Sequence, residues 1–324
     1  MTGLPFPHLP RRAAAATSML AMLAMLAACG GNRHDDNGVM ASTTNITPAS
    51  LALTAGAPAA TGDIAYDAYQ WINFRRGQAG LATLSRNGAL DAAAAAHSSY
   101  QKNNKIVSHD ELSGNSGYTG ATVADRLAAA GYTLVAPYAL GEVIAATSDN
   151  SGALMTEQLI TAIYHRFVIM EPVFKEVGTG NANAGAGYNY LSADFAASAG
   201  FGPGLGAGAV AGYPFDGQSA VPTVFYSDNE APDPVPDQNA VGYPVSVQAD
   251  INRTLLVQSF TLRPLGGATM ATRLLSAATD AETPASAAAI IPLAVLAGHT
   301  TYQVQFSGTL DGSAVTLAWT FTTQ

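Results

Sequence analysis

The chain has 324 residues, of which 48% are hydrophobic and only 11% charged, and its formal net charge is −9. That acidity excludes a nucleic-acid-binding protein, whose partner's phosphates need a basic face, and it excludes electrostatic docking on anionic lipid. The length is enough for two cores, and a single cysteine, Cys29, excludes an intramolecular disulfide.

At the N-terminus, Arg11 and Arg12 precede the apolar run AAAATSMLAMLAMLAAC. The run is too short and too rich in small residues to span a membrane as a mature anchor. It closes on Leu26-Ala27-Ala28-Cys29, the pattern of a bacterial lipobox. Residues 1–28 therefore read as a lipoprotein signal peptide. Cys29 reads as the lipidation site, and its lipid as the tie to a membrane. Gly30 stands where an Asp would favour inner-membrane retention, so the expected location is the outer membrane of a Gram-negative cell. Residues 29–61 are small and polar and read as a flexible tether. His34, Asp35 and Asp36 within it read as solvated.

A first helix begins near residue 63, with Tyr66, Tyr69, Ile72 and Phe74 roughly on one side and Arg75 and Arg76 late, where cations suit the dipole. Gly77 or Gly80 ends it. Asn87 caps a second helix through NGALDAAAAAHSSYQKNN, whose inner face carries Leu90, Ala93, Ala94 and His97. His97 reads as a hydrogen-bonded core histidine rather than a catalytic one. A third helix covers TVADRLAAAGY, from Thr122 as cap to Gly131. A fourth runs unbroken through SGALMTEQLITAIYH, with Leu154, Ile160 and Ile163 inward. KEVGTGNA and GYNYLSADFAAS read as strands. Residues 62–212 are thus α+β, helices on a short sheet. The glycine-rich run that follows lacks the strand-turn-helix context of a dinucleotide loop.

Residues 213–240 are proline-rich and read as an extended connector. Residues 241–324 change character. TYQVQFSG and AVTLAWTFTT alternate apolar with polar or small side chains, and LDGS joins them as a hairpin. A small all-β, Ig-like sandwich is expected there. It holds no cluster of ionisable groups, and His299 reads as solvated.

Three short stretches concentrate chemistry. SHDE places His109 beside Asp110 and Glu111. LGEVIAA puts Glu142 in an apolar run, and YHRF ends the fourth helix with His165 and Arg166. A buried carboxylate needs a partner, and His109 and His165 are the candidates for Glu142. Ser98, Ser99, Ser108 and Ser113 lie nearby, but none sits in a Gly-x-Ser-x-Gly elbow.

In order, YQWINFRRGQAGLATLSRNGALDAAAAAHSSY, SHDE, GEVIA and YHRFVIMEPVFKEVGTG resemble a bacterial CAP domain. That superfamily comprises the cysteine-rich secretory proteins, antigen 5 and the pathogenesis-related class 1 proteins. The resemblance covers about residues 62–200. It implies an α-β-α sandwich with a cleft of two histidines and two glutamates, in which the histidines can hold a divalent metal such as zinc. Carried over, His109 and His165 match the histidines and Glu142 the first glutamate. The fourth cleft residue is Glu111 or Glu157, with Glu111 favoured. Val143 replaces the motif's asparagine.

Two readings of function compete. In the favoured one, an envelope-tethered lipoprotein binds a lipid, metal or protein partner in the His/Glu cleft without catalysis. In the other, a metal held by His109 and His165, with Glu142 as base, hydrolyses envelope peptide or polymer. LVAPYALGEVIAA and FVIMEPVF read as core, with a lipid groove as the alternative.

Overall fold

A computed structural model describes residues 46–47, 50–51, 54–185 and 188–324. The expected signal peptide, Cys29 and the His34–Asp36 run lie outside the described residues. Helix α1 (Ile64–Gln78) starts at Asp63, whose carboxylate accepts from Tyr66 N. Strand β1 (Ser85–Arg86) leads to α2 (Gly88–Asn104), where Asn87 accepts from Ala89 N and Leu90 N. Helix α3 (Val123–Ala129) opens with a capping box between Thr122 and Asp125. Then follow β2 (Ala139–Thr147), α4 (Gly152–Thr161), α5 (Ile163–Ile169), β3 (Glu176–Asn183) and β4 (Asn189–Ala197).

The four strands order as β1-β3-β4-β2, with β1 parallel to β3 and the other pairs antiparallel. Side chains alternate across such a sheet. On one face, Leu140 packs with Leu90, Ala93 and Leu127 of α2 and α3. On the other, Thr179 Oγ1 donates to Ala65 O of α1, and Gly141 faces Val168 of α5 and Phe174. The result is a three-layer α-β-α sandwich. Helix α2 lies directly on β3: a Cβ at Gly178 or Gly180 would fall 2.1 Å from the α2 backbone. The small side chains of α2 leave room for that approach.

The fourth helix expected from sequence is two helices. Ala162 (φ −67, ψ 120) turns the chain between α4 and α5. Ile46 and Leu51, placed by sequence in the tether, are buried in the main core, and Gly56 lies beside Phe74.

The remainder is all-β. Strands β5 (Ala211–Tyr213), β6 (Gln218–Val221), β7 (Phe225–Tyr226), β8 (Ala240–Val241), β9 (Val245–Gln248), β10 (Leu255–Pro264), β11 (Thr272–Ser276), β12 (Ala287–Pro292), β13 (Thr301–Leu310) and β14 (Ser313–Thr323) follow in order. Two four-stranded sheets form, β10-β13-β14-β6 and β11-β12-β9-β5. They face one another through Val245, Val247, Leu262, Val304, Phe306, Trp319 and Phe321. The β13–β14 hairpin turns at Asp311 and Gly312, both at positive φ, as a two-residue hairpin of this twist requires.

The proline-rich stretch does more than connect. Its β6, with β5 just before it, supplies an edge strand to each sheet. Trp319 Nε1 donates to Pro214 O at 2.7 Å. The α-β-α and β parts share one apolar core, and a second cluster joins Ile163, Tyr164 and Phe167 of α5 to Phe225, Val241, Leu275 and Ile291.

Candidate functional site

Glu142 sits on the β2 face that carries Leu140, and it is 3% exposed. Its Oε1 is 2.7 Å from His109 Nδ1, and its Oε2 accepts from Arg126 Nη2 of α3 at 2.7 Å. Arg126 Nη1 also donates to His109 O at 2.7 Å, so one guanidinium fixes both the carboxylate and the loop that carries the imidazole. Glu111 lies on the same loop. It meets His97 Nδ1 at 2.9 Å and accepts from Thr119 N and Gly120 N. The other ring nitrogen of His97 meets Ser108 O at 2.8 Å. His97 is thus a fully buried structural histidine that pins both ends of the 108–111 segment.

A further acid was not flagged by sequence. Asp194 of β4 is the direct cross-strand neighbour of Glu142 and is fully buried. Two carboxylates cannot both ionise cheaply in such a place. Burial and the Glu142 charge push Asp194 well above the usual carboxylate range. Burial acts upward on Glu142 too, but the bond from His109 and the charges of His97 and Arg126 outweigh it and hold Glu142 low. The surroundings thus favour Glu142 as the anion of the pair and Asp194 as its neutral member.

The other named residues lie elsewhere. Glu157 accepts from Trp71 Nε1 at 2.6 Å and bidentately from Arg75, as part of the α1–α4 contact. His165 is on α5, the helix packed against the opposite face of β2. Its Nδ1 is 3.3 Å from Glu230 Oε1, which belongs to the segment after β7. The structure therefore brings His109, Glu111 and Glu142 into one network, while His165 is engaged by Glu230. The stretches around Glu142 and from Phe167 to Phe174 are buried core.

A metal held by His109 and His165 does not fit this arrangement, because His109 meets Glu142 on one face of β2 while His165 belongs to the helix on the other face and meets Glu230. No helix among the described residues is long and apolar enough to cross a membrane.

Residues 69–195 match the family model of the cysteine-rich secretory protein family, CAP. The protein thus carries a CAP domain followed by an all-β region. Among solved structures, it is similar to an extracellular protein containing an SCP domain from Bacillus anthracis, at 21% identity and a TM-score of 0.35. That match covers 46% of this chain and 43% of the other. It is also similar to an outer surface protein of Borrelia burgdorferi, at 14% identity and a TM-score of 0.34, covering 40% of this chain and 89% of the other. The chain thus spans less than half the length of the first. No curated protein matches it.

Proposed function

We propose that this protein is an exported, envelope-tethered lipoprotein whose CAP domain binds a protein partner through the loop over the His/Glu network, without catalysis. The tether is the lipid on Cys29, the location is the outer membrane of a Gram-negative cell, and the C-terminal part is an Ig-like β-domain. The lipobox at residues 26–29 supports the tether. The observation that carries the binding reading is the loop of residues 108–120. Its polar groups are engaged underneath by His97, Arg126 and Glu142, while Leu112 and Tyr118 stand 66% and 40% exposed on top. A loop held rigidly from below with apolar side chains outward suits recognition. Glu142, the residue a hydrolase would use as base, is held by His109 and Arg126.

The test places a photo-crosslinking amino acid at Leu112, Tyr118 and, as a control, the exposed Leu256 of β10, in cells that make either the full chain or its Cys29→Ser variant. A discrete adduct from positions 112 and 118 and not from 256, together with release of the Cys29→Ser protein from the membrane fraction, is expected. Equal adducts at all three positions, or none at 112 and 118, overturn the binding surface. Membrane association unchanged by Cys29→Ser overturns the tether.

A further inference from the structure

The helical pattern of residues 151–165 runs without Gly or Pro after Gly152, yet the chain turns at Ala162. In an unbroken helix the N–H groups of Ile163, Tyr164 and His165 would bond the carbonyls of Leu159, Ile160 and Thr161. Here all three turn to one side chain. Glu230 Oε2 accepts from Ile163 N at 2.8 Å, and Glu230 Oε1 from Tyr164 N at 2.7 Å and His165 N at 3.4 Å. The released carbonyls also have a substitute partner. Arg166 folds back so that Nε donates to Ile160 O at 2.6 Å and Nη2 to Thr161 O at 3.4 Å.

Both substitutes are held by the β region. Glu230 N donates to Ser227 O, and Ser227 N to Asn239 O. The Arg166 guanidinium lies 4.9 Å from the ring of Tyr213 and 4.9 Å from that of Tyr243. Its Nη1 donates to Pro244 O at 2.7 Å and Ser246 Oγ at 3.4 Å. Every backbone group released by the break between Ile160 and His165 that has such a substitute thus depends, directly or through Arg166, on residues beyond position 210.

We propose that the docked β region holds the break between α4 and α5 open as a conformational latch. When Glu230 is withdrawn, residues 152–169 anneal into one helix, and His165 and Arg166 turn to new directions about its axis. The break is then a property of the docked state and not of the segment, which carries neither Gly nor Pro between residues 153 and 165.

Hydrogen exchange read by mass spectrometry on the full chain tests this, with Glu230→Ala beside wild type. In wild type the amides of residues 163–165 and of Ile251 are protected. In Glu230→Ala the 163–165 amides are expected to stay protected, now by Leu159, Ile160 and Thr161. The amides of residues 213–251 exchange about tenfold faster or more, and helical circular dichroism rises. Loss of protection at 163–165 shows that the segment does not anneal and overturns the latch, as does an unchanged rate across 213–251. Should Glu230→Ala fail to fold, Glu230→Gln, which keeps the side chain's size and loses its charge, is read by the same criteria.

Discussion

His109 Nδ1 and Glu142 Oε1 lie 2.7 Å apart, and the other oxygen of that carboxylate lies 2.7 Å from Arg126 Nη2. One buried anion thus fastens a surface loop, a helix and an edge strand of the sheet. Replacing Glu142 with Gln takes from the buried Arg126 its nearest counter-ion and leaves it only Glu111, 4.0 Å from Nε. A loss on the order of 3 kcal/mol is expected in urea unfolding at neutral pH. Because Glu142 is held below its ordinary value of 4.5, its contribution is present above that pH and is lost as pH falls toward the lower folded value. The wild type should therefore lose stability on acidification below about pH 4.5 more steeply than Glu142→Gln. Equal slopes would remove Glu142 from the account.

Burial and the Glu142 charge push Asp194 upward, so a neutral isostere keeps the charge state that its surroundings favour. Asp194→Asn is expected to change stability by less than about 1 kcal/mol at pH 7. The wild type, but not that variant, should show an infrared carbonyl band of a buried protonated acid. Absence of the band in wild type would show that Asp194 is ionised.

Glu171 lies where the two parts meet. Its Oε1 accepts from Val173 N and Ile251 N and its Oε2 from Gln248 Nε2, while Arg76 Nη1 donates to its carbonyl oxygen. Burial pushes it from 4.5 up to about 8, more than the bonds from Val173, Ile251 and Gln248 and the Arg76 charge pull it down. A raised folded value means stability fully present below 4.5 and lost as pH rises through about 8. Glu171→Gln should flatten that dependence and leave the variant on the order of 3 kcal/mol more stable than wild type near pH 9. Denaturant midpoints at several pH values measure it, and parallel curves for the two proteins would contradict it.

Gly180 faces the Ala94–Ala95 backbone of α2, where a Cβ would fall 2.1 Å from Ala95 N. Gly180→Ala must lift the helix off the sheet, at about 3 kcal/mol or more. It should also weaken the bonds of Ser98 Oγ to Gly180 O and Ser192 Oγ. A thermal midpoint unchanged from wild type would refute so tight a contact.

Zinc should find no saturable, one-per-chain site in calorimetry, since His109 and His165 are held on opposite faces of β2 by Glu142 and Glu230. A site of that stoichiometry, lost in His109→Ala/His165→Ala, would show that the two imidazoles meet in solution.

Local signals were legible in the sequence. Asn87 and Thr122 cap the helices they precede, and the Asp311–Gly312 turn closes its hairpin. Glu142 stood out because a carboxylate in an apolar run needs a partner. What escaped depends on chain segments far apart. Asp194 is one acid among small residues in a strand buried on both faces. Arg126 sits on a short helix, and only the fold turns it toward β2. Glu230 lies in a run of prolines that carries no periodicity, and the break it caps has no signal in residues 151–165. Strand β6 was hidden in the same stretch, because short edge strands owe their form to the sheet they join.

The pairing of β6 with β14 has a mechanical consequence. The two strands run parallel, and Gly217 N–Thr320 O at 2.8 Å and Gln324 N–Val221 O at 3.0 Å bind the beginning of the β region to the chain's last residues. A pull between the N-terminal side of β6 and Gln324 drives the strands past each other along their length. It strains these bonds together instead of peeling them one at a time. Force along the chain thus meets its resistance at the first and last strands of the sheet before it reaches the strands between.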